Sequence, residues 1–142
     1  MTIDKLLKIE AEEKEKEAIY FWPKRNFSTK LISMADQVIK DKHLKLGSYD
    51  YKPFPLPDHV NRTFKRVKYQ NGSRYEGELN EQGIPDGRGI GLLHSGNLYE
   101  GYFKDGEFNG RGRLITKSGE LIDGEWKDSL KHGFCLYVWP NN

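Results

Sequence analysis

The sequence predicts a mainly β fold, a single-layer antiparallel β-meander of hairpins preceded by a two-helix arm and a proline-rich extended linker. The first observation is glycine, because 13 of the 15 glycines fall in the last 68 residues, at positions that repeat. The second is that large apolar residues alternate with these glycines at a period of two, which is the periodicity of a strand. The third is length, since 142 residues suit one short repeat array with an extension and make a large enzyme fold unlikely on size.

Residues 1–46 are predicted to be a helical arm, with helices at about 3–20 and 29–42. Thr2 is a favourable N-cap, and glutamate and lysine recur at helical spacing after it. Pro23 lies where the first helix must already have ended. An apolar stripe marks the second helix, formed by Leu31, Ala35 and Val38 with Ile32, Met34 and Ile39 beside them.

Residues 47–63 are predicted to be an extended linker. Pro53, Pro55 and Pro57 stand at alternate positions, and proline disfavours a helical conformation in the residue before it. The linker is therefore stiff and places aromatic side chains where a partner can reach them. Those candidates are Tyr49, Tyr51 and Phe54.

Residues 64–142 contain about three and a half copies of one hairpin unit. Gly77, Gly101 and Gly124 open successive units at spacings of 24 and 23 residues, and a second glycine signature follows each of them. Asn71-Gly72 and Asp105-Gly106 supply residues typical of tight hairpin turns. The residues predicted to build the repeat are Tyr75, Gly77, Leu79, Gly87, Gly89, Tyr99, Gly101, Phe103, Gly110, Gly112, Gly124, Trp126 and Gly133.

A glycine at the centre of each strand weakens a sheet unless another group covers it. The neighbouring strand offers large apolar and aromatic side chains for this purpose. We expect the covering residues to be Tyr75, Leu79, Tyr99, Phe103 and Trp126.

This pattern resembles the MORN repeat family, whose unit runs Tyr-x-Gly-x-Trp/Phe, a turn, and then Gly-x-Gly with an aromatic strand. The resemblance is good over residues 75–142 and weak over 64–74. Gly91 and Leu93 depart from the tyrosine that the family favours, and Cys135 replaces the second glycine of the third unit. The resemblance implies a hairpin array with a scaffold role, because similar arrays occur in axonemal components, in membrane-junction proteins and as accessory regions of enzymes.

The sheet face opposite the glycines carries a second apolar row. Leu92, Ile115 and Val138 occupy equivalent positions, and Phe134 and Leu136 indicate that the last strand is buried on both faces. We prefer the interpretation that the helix at 29–42 covers this row, and the alternative is that another protein does. The candidates for partner binding are Leu31, Met34, Val38, Tyr49, Tyr51, Phe54, Leu92, Ile115 and Val138, with Ile90 extending the row in the first unit.

No catalytic residue, cofactor or metal site is predicted. The four histidines, His43, His59, His94 and His132, share no metal-ligand spacing, and Gly87-Arg88-Gly89 precedes a strand instead of the helix that a phosphate loop needs.

The acidic residues at one equivalent position in three units are Glu76, Glu100 and Asp123. We expect them to pair across strands with Arg88 and Arg111 on a solvated face, in preference to binding a cation.

Charge is unevenly distributed, since residues 21–74 carry 12 basic and 4 acidic side chains in a chain whose formal net charge is +2. This basic region is open to three interpretations besides simple solvation: an acidic protein, anionic lipid or, with least support, nucleic acid. The single cysteine, Cys135, excludes an intramolecular disulfide. No stretch approaches the roughly 18 apolar residues of a membrane span.

The sequence therefore predicts a non-enzymatic scaffold, an accessory subunit of a larger axonemal, cytoskeletal or organellar assembly that binds other proteins. The alternative is a peripheral membrane module that binds anionic phospholipid through the basic segment 24–74. The expected location is cytoplasmic and either cytoskeletal or ciliary, with a mitochondrial location through uncleaved targeting as the alternative.

Overall fold

Seven antiparallel strands form one open sheet in the order in which they follow one another along the chain. The computed structural model describes residues 29–51 and 61–141, so the helix predicted at 3–20 and most of the linker, with Phe54, lie outside the described residues. The strands are β1 (Thr63–Lys68), β2 (Arg74–Leu79), β3 (Pro85–Leu92), β4 (Leu98–Lys104), β5 (Glu107–Ile115), β6 (Leu121–Lys127) and β7 (Leu130–Val138).

The predicted meander of three and a half hairpins is confirmed. β1 is the half unit, and β2–β3, β4–β5 and β6–β7 are the full units. Asp105-Gly106 forms the turn of the β4–β5 hairpin and Asp128-Ser129 that of the β6–β7 hairpin. All four residues have positive φ, between 51° and 80°. Two central residues with positive φ define the turn whose twist matches that of the flanking strands, so these turns favour tight hairpins.

Five glycines lie in a single file across the middle of the sheet. Gly77 is opposite Gly89, which is opposite Gly101, and the file continues through Gly112 to Gly124. The backbones are so close that a Cβ atom added at Gly101 would lie 2.4 Å from the Cα atom of Gly112. No side chain fits in that space, which explains why glycine recurs at the centre of each strand.

Tyrosine rings cover this file. A Cβ atom at Gly112 would lie 2.3 Å from the Cζ atom of Tyr99, whose hydroxyl donates to the carbonyl oxygen of Tyr102 at 3.0 Å. Tyr75 covers Gly89 in the first unit in the same way. Each hydroxyl bonds a carbonyl at the β-bulge that follows the glycine, so one side chain both fills the space above the glycines and pairs a bulge carbonyl that the strand ladder leaves free.

The third unit achieves the same packing with a different pair of residues. Ile122 occupies the tyrosine position, and Cys135 lies opposite Gly124 where a glycine would stand. The Cys135 Sγ atom lies 2.9 Å from the Cβ atom that Gly124 would carry, which is also the distance of the tyrosine hydroxyl in the second unit. Sγ donates to the bulge carbonyl of Glu125 at 3.3 Å. The thiol therefore replaces the tyrosine hydroxyl.

Two short helices pack on the opposite face of the sheet, α1 (Thr29–Ser33) and α2 (Gln37–Leu46). They replace the single helix predicted over 29–42. The amides of Met34 and Ala35 bond carbonyls three residues back, and Asp36 has an extended backbone with ψ at 151°, which ends the first helix and begins the second. The break allows side chains of both helices to face the sheet.

Each face of the sheet has its own hydrophobic core. The helices cover the first face, as the preferred interpretation predicted, and this helix-side core contains Leu31, Ala35, Ile39, Tyr49, Tyr51, Ile90, Leu98, Tyr102, Ile115 and Leu121, with Leu92 and Val138 packed against it. The other face is built of aromatic and aliphatic side chains, Tyr75, Leu79, Tyr99, Phe103, Phe108, Ile122 and Trp126, with Tyr99 stacked on Phe108 at 3.8 Å between ring centroids.

The glycine file predicts that Gly101→Ala destabilises the protein severely. The added methyl would meet backbone atoms at 2.4 and 2.5 Å, which cannot rotate away as a side chain can. We expect a loss of about 3 kcal/mol or more in the free energy of unfolding, measured by urea denaturation. The matched control is Gly91→Ala, because its methyl would find its nearest neighbour at an ordinary 3.5 Å. Equal losses for the two variants would contradict the packing described.

Because the Cys135 thiol takes the place of a tyrosine hydroxyl, we expect the effects of substitutions at Ile122 and Cys135 on stability to be coupled. Ile122→Tyr alone would drive a ring into the sulfur, and Cys135→Gly alone would leave the Glu125 carbonyl without its donor, so each single variant lowers stability. The double variant recreates the arrangement of the first two units. We expect its unfolding free energy to exceed the additive value by at least about 1 kcal/mol in a double-mutant cycle. Additive effects would show that the two positions are independent.

Candidate functional site

A row of charged side chains, interrupted by Ile90 on β3, crosses the helix-side face of the sheet. The strand register aligns Arg66, Glu76, Ile90, Glu100, Arg113 and Asp123 on successive strands from β1 to β6. Glu76 and Glu100 are each only 2% exposed, so the prediction of a solvated face is wrong for them. The reason is that the helices and the segment after them cover this face.

The arginine partners also differ from those predicted. Arg66 donates to Glu76, and Arg113 donates to Glu100 at 3.0 Å. Arg88 instead pairs with Glu78 at 2.8 Å on the neighbouring strand. The strand register places Arg66 opposite Glu76 and Arg113 opposite Glu100, whereas Glu78, the partner of Arg88, lies at the β2 bulge.

Glu100 is fully paired. Its second oxygen lies 3.1 Å from Nε2 of His43 on α2, and Arg113 also donates to the carbonyl of Gly47 just after α2. A buried carboxylate is costly unless it is paired, so this cluster fixes α2 over the sheet. His43 and Arg113 were not singled out from the sequence as partners of Glu100, and no sequence signal joins His43 to a glutamate 57 residues away.

Glu76 is only half paired. One oxygen accepts the hydrogen bond from Arg66, while Oε2 is buried and has no hydrogen-bond partner among the described residues. Burial raises the pKa of Glu76 above its ordinary value, and the Arg66 guanidinium opposes that rise. The first two units therefore place equivalent carboxylates in unlike surroundings.

Tyr49 and Tyr51 serve the chain's own core. They are 9% and 8% exposed, and the Tyr51 hydroxyl donates to the carbonyl of Gly89 at 2.8 Å. Burial raises the pKa of both hydroxyls. Arg113 lies over the Tyr49 ring at 5.4 Å. The linker rings were predicted to reach a partner, but Tyr49 and Tyr51 pack in cis, because residues 47–51 lie over the helix-side face of the sheet.

The other partner-binding candidates divide into two groups. Leu31, Leu92, Ile115 and Val138 pack in or against the helix-side core. Met34 and Val38 remain 43% and 48% exposed.

The helix-side cover ends before it reaches most of β7. Phe134 and Leu136 are 79% and 52% exposed, so the prediction that the last strand is buried on both faces is wrong. Within the described residues, the helix-side core reaches β7 only at Val138. Trp139 follows, 63% exposed, with its ring 4.7 Å from that of Tyr137. Phe134 and Leu136 alternate with Tyr137 and so share the helix-side face, whereas Trp139 lies beside Tyr137, which packs against the other core. We call these three exposed side chains of this edge, Phe134, Leu136 and Trp139, the β7 surface.

The two edges of the sheet differ in character. In the part of the chain that the structure describes, β7 pairs with β6 alone, and it presents the apolar β7 surface. β1 forms the other edge, and three of its six residues are basic: Lys65, Arg66 and Lys68. Edge strands leave backbone groups unpaired, and lysine on an edge opposes further strand addition.

Catalytic and metal-binding geometry is not found in the part of the chain that the structure describes. No group of three or more histidine, cysteine, aspartate or glutamate side chains is placed to hold a metal ion there. The same residues contain no helix that is long and apolar enough to cross a membrane. His59 lies outside the described residues.

Comparison with known families identifies the repeat. The model of the MORN repeat matches residues 99–120 and 123–142, which are the β4–β5 and β6–β7 hairpins with the turns that follow them. Curated protein sequences give no significant match to the chain. The tyrosine, glycine and bulge geometry of these two hairpins recurs at β2–β3, with the cysteine variation in the last unit. The chain therefore carries MORN repeats, at residues 99–120 and 123–142.

Proposed function

We propose that the protein is a non-enzymatic scaffold, an accessory subunit of a larger assembly, which binds another protein through the β7 surface. MORN repeats are generally modules of protein or membrane interaction. The observation that carries the proposal is the contrast along one sheet face. Ile115 is 0% exposed beneath the helices, whereas Phe134 on the edge strand of the same face is 79% exposed.

The β7 surface suits a protein partner. Burying an aromatic or aliphatic side chain stabilises a complex by about 1.5–3 kcal/mol, and Phe134, Leu136 and Trp139 lie within six residues of one another. The edge strand beside them offers backbone donors and acceptors to an added strand or loop. A partner that covers this end would complete the face that the helices leave open.

The assembly is proposed to be axonemal, cytoskeletal or organellar, and the location cytoplasmic and either cytoskeletal or ciliary, with a mitochondrial location as the alternative. The support is the family resemblance of the repeats. The binding of anionic phospholipid through the basic segment 24–74 stays a prediction from charge, and the experiment below separates it from protein binding.

The proposal predicts that Phe134→Ser combined with Leu136→Ser abolishes partner capture without unfolding the sheet. Both side chains are largely exposed, so the folded protein loses little burial, while a complex would lose its apolar contact. The measurement is quantitative mass spectrometry of proteins that copurify with the tagged full chain from native cells. We expect a defined set of proteins to fall roughly tenfold in abundance.

The matched control is Leu44→Ser, because Leu44 is 83% exposed on α2 and the variant likewise replaces an exposed apolar side chain by serine. It should retain the same partners. Equal losses for the two variants, or no loss for either, would contradict the β7 assignment. Sedimentation with phosphatidylserine vesicles supplies the second readout, and salt-sensitive binding there without any lost protein would favour the membrane module.

A further inference from the structure

A cavity of about 180 Å³ opens at the β1 end of the sheet, between α1 and the first two strands. Its lining is more apolar than polar, with the side chains of Leu31 and Met34 on the helical side. Val67 and Tyr75 also line it, although their side chains pack in the core on the other face of the sheet. Met34 is 43% exposed at the mouth. The cavity is thus a concave apolar site at the surface, far along the sheet from the β7 surface.

The rim of the cavity is basic. Lys68 on β1 lies opposite Arg74 on β2, and Arg74 lies opposite Leu92 on β3. This row of the helix-side face is therefore apolar from β3 onward and cationic on β1 and β2. Lys30 joins them from α1. These three side chains have no ion-pair partner among residues 29–51 and 61–141. The rim is therefore complementary to an acidic ligand.

One wall of the cavity carries a polar group that lacks a partner. Glu76 lines the cavity, is 2% exposed, and has no hydrogen bond at Oε2 from any residue in 29–51 or 61–141. In the next unit the equivalent oxygen of Glu100 meets His43 from α2. The helical cover thus supplies a donor to one carboxylate and leaves the other, beside α1, without one. A ligand seated here completes the arrangement if it brings a hydrogen-bond donor.

We propose that this cavity binds an acidic peptide segment of a partner protein. An apolar side chain of the peptide enters beside Leu31 and Met34. Carboxylates on either side of it pair with Lys30, Lys68 and Arg74, and a backbone N–H donates to Glu76 as Met34 moves aside. All three requirements, an apolar anchor, negative charge and a donor, are met by one short peptide.

A peptide fits these features better than a membrane surface or a polynucleotide. Both of those would bring phosphate oxygens, which accept hydrogen bonds and would face the buried carboxylate of Glu76. A flat headgroup layer would also leave the apolar cavity unfilled. The proposal does not rest on the β7 surface, which lies at the opposite edge of the sheet.

The test is selection of short random peptides displayed on phage against the full chain, followed by affinity measurement with the selected peptides. We expect sequences in which aspartate or glutamate flanks a leucine, isoleucine, phenylalanine or methionine. Lys68→Glu combined with Arg74→Glu should weaken their binding at least about tenfold, because attraction becomes repulsion at two contacts. The affinity should also fall as salt rises.

Two further variants keep the result interpretable. Lys104→Glu with Lys127→Glu makes the same change of charge on exposed strand ends away from the cavity, and should leave affinity within about twofold. Met34→Ser tests the apolar wall without changing the charge of the rim, at a residue exposed enough to tolerate the change, and should also weaken binding. Circular dichroism and the unfolding midpoint of each variant establish that it is folded.

Several results would overturn the proposal. Selection that does not enrich acidic over basic peptides is one, and equal weakening by the cavity variant and its charge-matched control is another. Vesicles of phosphatidylcholine with phosphatidylserine form the last arm. If they bind the chain, lose that binding with the cavity variant, and no acidic peptide is selected, the cavity belongs to a membrane surface instead.

Discussion

The close backbone contact along the glycine file is the constraint on which the rest of the structure depends. Gly101 and Gly112 are so near each other that a Cβ atom on one would lie 2.4 Å from the Cα atom of the other. That contact requires glycine, and glycine leaves a space that the Tyr99 ring then fills. The hydroxyl of the same ring satisfies the bulge carbonyl that the register shift leaves free. Spacing, side chain and bulge are therefore consequences of one geometry, and the thiol of Cys135 shows that the geometry accepts a second chemical solution.

The two faces of the sheet are stabilised in different ways. Aromatic rings bury one another on the glycine side, whereas the other side depends on helices that are held by buried polar contacts as well as by apolar packing. His43 and the carbonyl of Gly47 bind the Glu100–Arg113 pair, so the position of α2 is specified at the second unit. Fewer such contacts hold the helical cover toward the two edges of the sheet. Among the described residues, the Glu76 carboxylate near β1 lacks a second donor, and Phe134 and Leu136 on β7 are exposed. Within this part of the chain, the sheet is thus least completely covered at its two edges.

Features that arise from short, repeated stretches of sequence could be predicted, whereas contacts between distant segments could not. The hairpins, the glycine file and the covering tyrosines are predictable because they repeat at fixed spacing. The nearly equal spacing of Gly77, Gly101 and Gly124 indicates that they occupy equivalent positions in successive hairpins. The break before Asp36 depends on a local backbone change inside an apolar pattern that reads as one helix. The Glu100–His43 contact joins distant segments, and no pattern encodes it. Alternation in β7 correctly separates its two faces, but it does not reveal that the cover stops at Val138.

The basic β1 edge has a consequence for how far such an array can grow. Three cationic residues among six make strand addition by another copy unfavourable on that side, because like charges would be stacked and lysines desolvated. The opposite edge offers an apolar strand that one neighbour can occupy. The two edges of the sheet therefore differ in what they favour: the charge of β1 opposes strand addition, whereas the exposed apolar side chains of β7 favour contact with one neighbour.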